Sequence, residues 1–290
     1  MTRAARYLLL LAGLHAASAP AALLDQAGLE LRLDDNLARA ELERDITGDV
    51  ALAASAVGSA GYQLGDSDRL KLSVDLSATA YRRYVGLDMA SLRLTASHRH
   101  KFGLGAYAPA LSLSASVARQ EFRDSARTGW HYELDAALSR RISPRLELQL
   151  GYGFQMRRAD DEDPRVVPFI AANVFDTSSR HLRIRANALI TPRYLVSAGY
   201  AIHKGDIIST TLRNLPIFLA SDAIAADPTF GPERFAYTLT AMTHDVQLSI
   251  SRLIDDTASM SLGYQFIDSR AEGGIRYRAN LVRASYLRQF

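Results

Sequence analysis

The chain has 290 residues, enough for one large domain or two small ones. Its 34 Lys and Arg are nearly balanced by 31 Asp and Glu, so composition offers no argument for a nucleic-acid partner. The absence of cysteine excludes a disulfide scaffold, a thiolate metal site and a lipid-anchored N-terminal Cys.

At the N-terminus, Arg3 and Arg6 precede the apolar run Tyr7 to Leu14, and the small residues Ala16-Ala17-Ser18-Ala19 follow. This is the pattern of a secretory signal peptide over residues 1–21, with cleavage expected before Ala22 at Ala19-Pro20-Ala21. Beyond residue 25 no apolar stretch approaches the roughly 20 residues of a transmembrane helix. A chain without such helices still spans a bilayer if its strands close into a barrel, because closure satisfies every backbone group.

The mature segment, 22–290, is dominated by a period of two. In Arg69 to Tyr81, Leu70, Leu72, Val74, Leu76, Ala78 and Ala80 alternate with Lys71, Ser73, Asp75, Ser77 and Thr79. In Arg145 to Arg157, Leu146, Leu148, Leu150, Tyr152, Phe154 and Met156 alternate with Glu147, Gln149, Gly151, Gly153 and Gln155. Strands alternate faces in this way and amphipathic helices do not. Many segments run about 12 to 16 residues. Strands of soluble sandwiches usually stop at about 5–6, whereas these are long enough to cross a bilayer at a tilt.

About twelve strands are expected, over 28–40, 47–64, 69–84, 89–101, 109–122, 129–142, 145–157, 179–191, 193–204, 235–252, 258–268 and 275–290. Tight connections (Gly65 to Asp68, Gly103 to Ala108, Ser143-Pro144, Thr191-Pro192, Asp255-Asp256) alternate with longer ones, the longest near 158–178 and 205–234. Sorting short turns to one rim and long loops to the other is the asymmetry of an outer-membrane barrel. In the strand at 235–252, Tyr237 and Leu239 are odd while Val246, Leu248 and Ile250 are even, so a bulge or two merged strands is expected near Met242 to His244. Residues 164–176 could hold a further strand, which leaves ten or fourteen strands as alternatives to twelve. Gly151-Tyr152, Gly199-Tyr200 and Gly263-Tyr264 recur at matching places, consistent with an aromatic girdle.

The closing segment places Val282, Ala284, Tyr286 and Phe290 on one face, with Arg288 interrupting it. A closing amphipathic strand that ends in an aromatic resembles the C-terminal signal of bacterial outer-membrane β-barrel proteins, and the resemblance covers the mature chain. It implies an all-β fold, a single transmembrane antiparallel up-and-down β-barrel. It also implies that these four residues are read by the barrel assembly machinery and that the last strand pairs with the first. The stretch from Tyr277-Arg278-Ala279-Asn280 to Phe290 is further similar to the barrel end of surface-lipoprotein assembly modifiers, without the helical-repeat domain that those proteins carry before it.

No catalytic motif, metal site or cofactor site stands out. His98 and His100 share a face but lack a third ligand, and read as solvated strand-end histidines. His244 and Asp245 are neighbours on a strand and so should face opposite sides. Asp160-Asp161-Glu162-Asp163 lacks the alternation and Gly of a calcium loop and reads as a solvated loop tip. Arg183 and Arg185 lie two apart on the predicted inner face and are candidates for a basic lumen patch. Leu215, Ile217 and Phe218 form the apolar piece of the 205–234 loop, a candidate constriction folded into the lumen or an outer cap.

The expected function is a channel or export pore for small solutes or a polymer. Two alternatives stand beside it: a non-enzymatic assembly or transport barrel with a periplasmic or surface partner, and an outer-membrane hydrolase built on His131, His181, His203 or His244. The expected surroundings are outer-membrane lipid and lipopolysaccharide, reached after signal-peptide export.

Overall fold

The computed structural model describes residues 24–160 and 166–290; the proposed signal peptide and most of the acidic run, residues 161–163, lie outside the described residues. The strands are β1 (Gln26–Asp34), β2 (Asp49–Gln63), β3 (Asp68–Tyr81), β4 (Met89–Lys101), β5 (Ala110–Phe122), β6 (Gly129–Ser143) and β7 (Leu146–Ala159). They continue with β8 (Thr177–Thr191), β9 (Tyr194–Thr211), the short β10 (Ala223–Ala226), β11 (Phe235–Leu253), β12 (Ala258–Ala271) and β13 (Arg276–Gln289). One helical turn, α1 (Leu215–Ala220), interrupts the loop between β9 and β10.

Each stave pairs antiparallel with its sequence neighbour, β9 pairs directly with β11, and β13 pairs with β1 from Gln26 opposite Gln289 to Asp34 opposite Leu281. The result is a closed up-and-down barrel of twelve staves, neither ten nor fourteen. Strand β10 is not a stave. It adds to β11 from Ala223 opposite Thr238 to Ala226 opposite Phe235, above the point where β12 ends at Ala271 opposite Ala241.

The two faces of each strand differ as their alternation requires. Leu29, Leu31 and Leu33 of β1, Leu92 and Leu94 of β4, and Leu148, Leu150, Tyr152 and Phe154 of β7 are all exposed on the outer face. A continuous exposed apolar belt of this kind needs lipid to cover it. The concave face is identified by ion pairs that skip a strand. Arg93 on β4 reaches Glu133 on β6 at 3.0 Å, and Arg183 on β8 reaches Asp135 on β6 at 2.6 Å.

Four expectations are corrected. Strand β1 ends at Asp34 rather than at residue 40, because the Asn36 side chain donates to the carbonyls of Ala40 and Arg278 and folds the chain inward. Strand β9 continues to Thr211, past Gly205, whose φ of +149° and close approach to the Ser178 carbonyl leave no room for a side chain. The long loop is therefore 212–234.

The third correction concerns β11, which carries no bulge. Its register against β9 is unbroken from Phe235 opposite Thr211 to Arg252 opposite Tyr194. Tyr237, Leu239 and Ala241 are apolar and inward because the loop covers them, so the face never flips. The fourth concerns 164–176, whose described part makes one parallel bridge, Ala171 with Ala223, and no stave.

The recurrent Tyr residues point outward, and two of them satisfy their hydroxyls on that face. Tyr264 Oη donates to Asn280 Oδ1 at 2.6 Å, and Tyr200 Oη lies 2.7 Å from His244 Nδ1. In a lipid-facing position an unpaired hydroxyl has no water to turn to. This accounts for two polar residues, Asn280 and His244, on an otherwise apolar face.

Candidate functional site

The lumen wall is built from the polar half of every alternation. Its recurring element is an inward glycine opposite an inward arginine on the next strand. Gly151 faces Arg183, Gly199 faces Arg185 and Gly263 faces Arg283. The three glycines are those of the recurrent Gly-Tyr pairs, so one dipeptide supplies a lipid-facing Tyr and a lumen-facing gap. A Cβ at Gly151 would stand 2.9 Å from Arg183 Nε, and one at Gly153 would stand 2.8 Å from Asp135 Oδ2. The two gaps in β7 let side chains of β8 cross it. Through them Arg183 reaches Asp135, and His181 Nε2 comes within 3.5 Å of the same carboxylate.

Charge along the wall is only partly compensated. Arg93 is paired with Glu133, Arg183 with Asp135 and Arg32 with Glu30. Arg185 has no carboxylate within bridging distance among the described residues, and Arg283 donates to the neutral Gln265 amide. Both line a cavity of about 250 Å³ with Gln247, Ser197, Ser249 and Ser285 and with Glu30, the partner of Arg32. A second cavity of about 340 Å³ at the short-turn rim is lined by Arg69, Arg99, Lys101 and Arg141 with Glu147 and Asp66. Arg183 and Arg185 thus differ: the first belongs to a carboxylate ladder and the second is left to face water.

The opposite rim is covered. The 212–234 loop runs from β9 across the mouth and touches every other loop of that rim. Arg234 pairs with buried Asp45 between β1 and β2, and Phe230 packs on Tyr84 between β3 and β4 at 4.9 Å between ring centroids. Between β5 and β6, Arg127 pairs with buried Asp227 of the loop, and Thr229 donates to Asp124 at 2.6 Å. Ala223 bridges Ala171 between β7 and β8, and a Cβ at Gly273, between β12 and β13, would lie 3.1 Å from the Ala220 side chain.

Both apolar clusters among the described residues lie at this mouth. In one, Ile217 packs with Ile224, Tyr237, Leu239, Ile275 and Tyr277; in the other, Val174 and Phe175 pack with Ala223, Ala225 and Ala236. Of the three apolar loop candidates, Ile217 is buried, Phe218 packs against the cluster and Leu215 is exposed. Asn214 caps α1 by accepting from the Ile217 N–H at 3.4 Å, which aims Ile217 into the barrel. Sequence reading missed the buried carboxylates Asp45 and Asp227, whose partners lie about 190 and 100 residues away.

The remaining candidates are dispersed. His181 and His203 pack in the lumen with tilted rings 5.2 Å apart, while His244 and Asp245 lie on opposite faces, Asp245 accepting from Gln265 at 2.7 Å. His98 and His100 both contact Asp68, at 3.0 and 2.9 Å, and no metal-holding group of three such ligands occurs among the described residues. The Arg119 guanidinium holds the Asp160 carboxyl below the usual carboxylate range, at a hydrogen-bond distance of 2.6 Å.

No family model matches the chain, and no curated protein sequence matches it. Solved structures do. An outer-membrane channel of Pseudomonas putida F1 is 10% identical with a TM-score of 0.56, covering 94% of this chain and 100% of its own. The NanC porin is 8% identical with a TM-score of 0.51, covering 90% of this chain and 100% of its own. At such identities the likeness concerns the fold: this chain has the closed up-and-down β-barrel fold of those two proteins.

Proposed function

We propose that the protein is an outer-membrane channel for small hydrophilic solutes, selective for anions, with its outer mouth narrowed by the 212–234 loop. The observation that carries this is the lumen below the apolar clusters of the mouth: it is lined by polar side chains, holds the two cavities described, and carries Arg185 and Arg283 without a carboxylate partner among the described residues. Uncompensated cations favour anions, and the cavity lined by Arg69, Arg99, Lys101 and Arg141, with Glu147 and Asp66, extends that field to the short-turn rim.

In this reading the long-loop rim faces the outside and the short-turn rim the periplasm. Val282, Ala284, Tyr286 and Phe290 form the outward face of the closing strand and present the surface read by the assembly machinery. Reversal potentials across a planar bilayer under a salt gradient test the proposal. Chloride should be more permeant than potassium, and cation preference would overturn it.

A further inference from the structure

Barrel register brings together residues that are far apart in sequence. Arg180 on β8 stands opposite Lys204 on β9, Lys204 opposite Met242 on β11, Met242 opposite Arg270 on β12, and Arg270 opposite Arg276 on β13. All five lie on the outward face, at one level, on five adjacent strands. With strands about 4.8 Å apart the row is about 19 Å long. Arg278 stands one rung below, opposite Asp268.

Of the four cations in the row, only Arg276 is paired. Asp268 engages Arg276 at 2.6 Å and Arg278 at 3.5 Å. Arg180, Lys204 and Arg270 have no carboxylate within bridging distance among the described residues. The nearby Asp206 carboxylate accepts from Ser178 at 2.7 Å instead. Along the wall of a protein standing in water, four cations set side by side would repel one another to no purpose.

The level of the row gives it one. Beneath it the outward positions include Leu182 and Ile202, then Ile184, Val246 and Phe266, then Leu248 and Val282, then Val196, Ile250 and Leu262, with the paired Tyr200–His244 and Tyr264–Asn280 among them. The belt ends where Tyr194 faces Arg252. From Lys204 to Tyr194 is ten residues of β9, about 34 Å along a strand and about 26 Å at a tilt of about 40°, close to the apolar band of about 25 Å that barrels present. The row therefore sits at headgroup height on the long-loop side, and Met242 at its centre offers an apolar contact to acyl chains.

We infer that Arg180, Lys204, Arg270 and Arg276 form a binding site for the phosphate groups of an outer-leaflet lipid. Arg and Lys donors bind phosphate by charge-assisted hydrogen bonds, and a row of them spans more than one phosphate. This site does not depend on the lumen or on what passes through it.

The test uses the purified full barrel in neutral detergent with bis-phosphorylated lipid A and its dephosphorylated form as probes. Bound lipid is counted by native mass spectrometry and by the shift in heat-induced unfolding. The phosphorylated lipid should bind and raise the unfolding temperature, and the dephosphorylated lipid should do neither. R180Q/K204Q/R270Q should weaken binding at least tenfold. A control that removes three cations at the other edge, R193Q/R252Q/R288Q, should bind as the parent does. Equal binding of the two lipids, or equal losses in both triple variants, would overturn the inference. The single variant Lys204→Gln, exposed on the surface, gives the same reading at smaller amplitude should the triple variant fold poorly.

Discussion

Phe230 packs on Tyr84 with 4.9 Å between the tilted rings' centroids, and the two belong to loops on opposite sides of the barrel. Tyr84 lies between β3 and β4 and Phe230 between β9 and β11, six staves apart in either direction around a ring of twelve. A contact between them requires the 212–234 loop to span the mouth. It is a diametric strap, pinned by buried ion pairs near its far end and by the Ile217 cluster near its start.

The strap should loosen when a pin is removed. Asp227→Asn leaves Arg127 with Asp124, at 3.3 Å, as its remaining carboxylate, and losing one charge-assisted hydrogen bond of this kind typically costs about 1.5–3 kcal/mol. Thr210 would also lose its charged acceptor, now at 2.6 Å. Limited proteolysis should then cut within 212–234 at a protease dose that leaves the parent intact, while the barrel itself stays folded. Unchanged protection would show that the pair does not hold the loop.

Two inward glycines should resist substitution for different reasons. At Gly129 a Cβ would overlap the Arg158 carbonyl oxygen, which belongs to backbone, so Gly129→Ala should lower the folded yield and cost about 1–3 kcal/mol. At Gly153 the Cβ would meet the His181 ring at 2.5 Å and the Asp135 carboxylate, so Gly153→Ala should disturb the Arg183–Asp135 pair. Urea unfolding in detergent should show both losses, and Gly65→Ala, with nothing near its Cβ, should be neutral.

Much of this was legible in the sequence where the information is local. Alternation gave the staves because each strand's faces are set by its own residues, as in Leu148 to Phe154. It misled at Tyr237 and Leu239, where odd apolar residues suggested a bulge. They are inward and apolar because Ile217, from a loop, covers them. The arginines divide in the same way. Arg183 and Arg185 are indistinguishable by spacing, and only the gap at Gly151 and Gly153 and the position of Asp135 give one a carboxylate and deny it to the other. Partners such as Asp45 and Arg234 are set by barrel closure, which no short window of sequence contains.

Selectivity should follow the unpaired arginines. Arg185→Glu with Arg283→Glu reverses the charge of the mid-lumen cavity. The chloride-to-potassium permeability ratio should fall about fivefold or more. Arg183→Gln, which instead frees Asp135, should shift the ratio less. Equal effects of the two variants would place the selecting charge elsewhere.

The closing strand carries an assembly prediction. Val282 and Tyr286 face outward beside the β1 seam, where they pair with Leu33 and Leu29, and the Phe290 N–H donates to the Asp25 carbonyl at 3.0 Å. Phe290→Ala with Tyr286→Ala should slow insertion into membranes, seen as a delayed appearance of the heat-modifiable band. The final barrel should be nearly as stable as the parent, because both side chains face lipid. Insertion at the parental rate would remove these residues from the assembly signal.

The central claim is a water-filled lumen narrowed at one mouth by a strap. Single-channel conductance of the intact barrel, compared with a variant whose residues 213–233 are replaced by a short Gly-Ser linker, tests it most directly. The expected result is a small, anion-selective conductance for the parent and a clearly larger, still anion-selective one for the variant. A variant that conducts no better than the parent, or two barrels that do not conduct at all, would contradict the account.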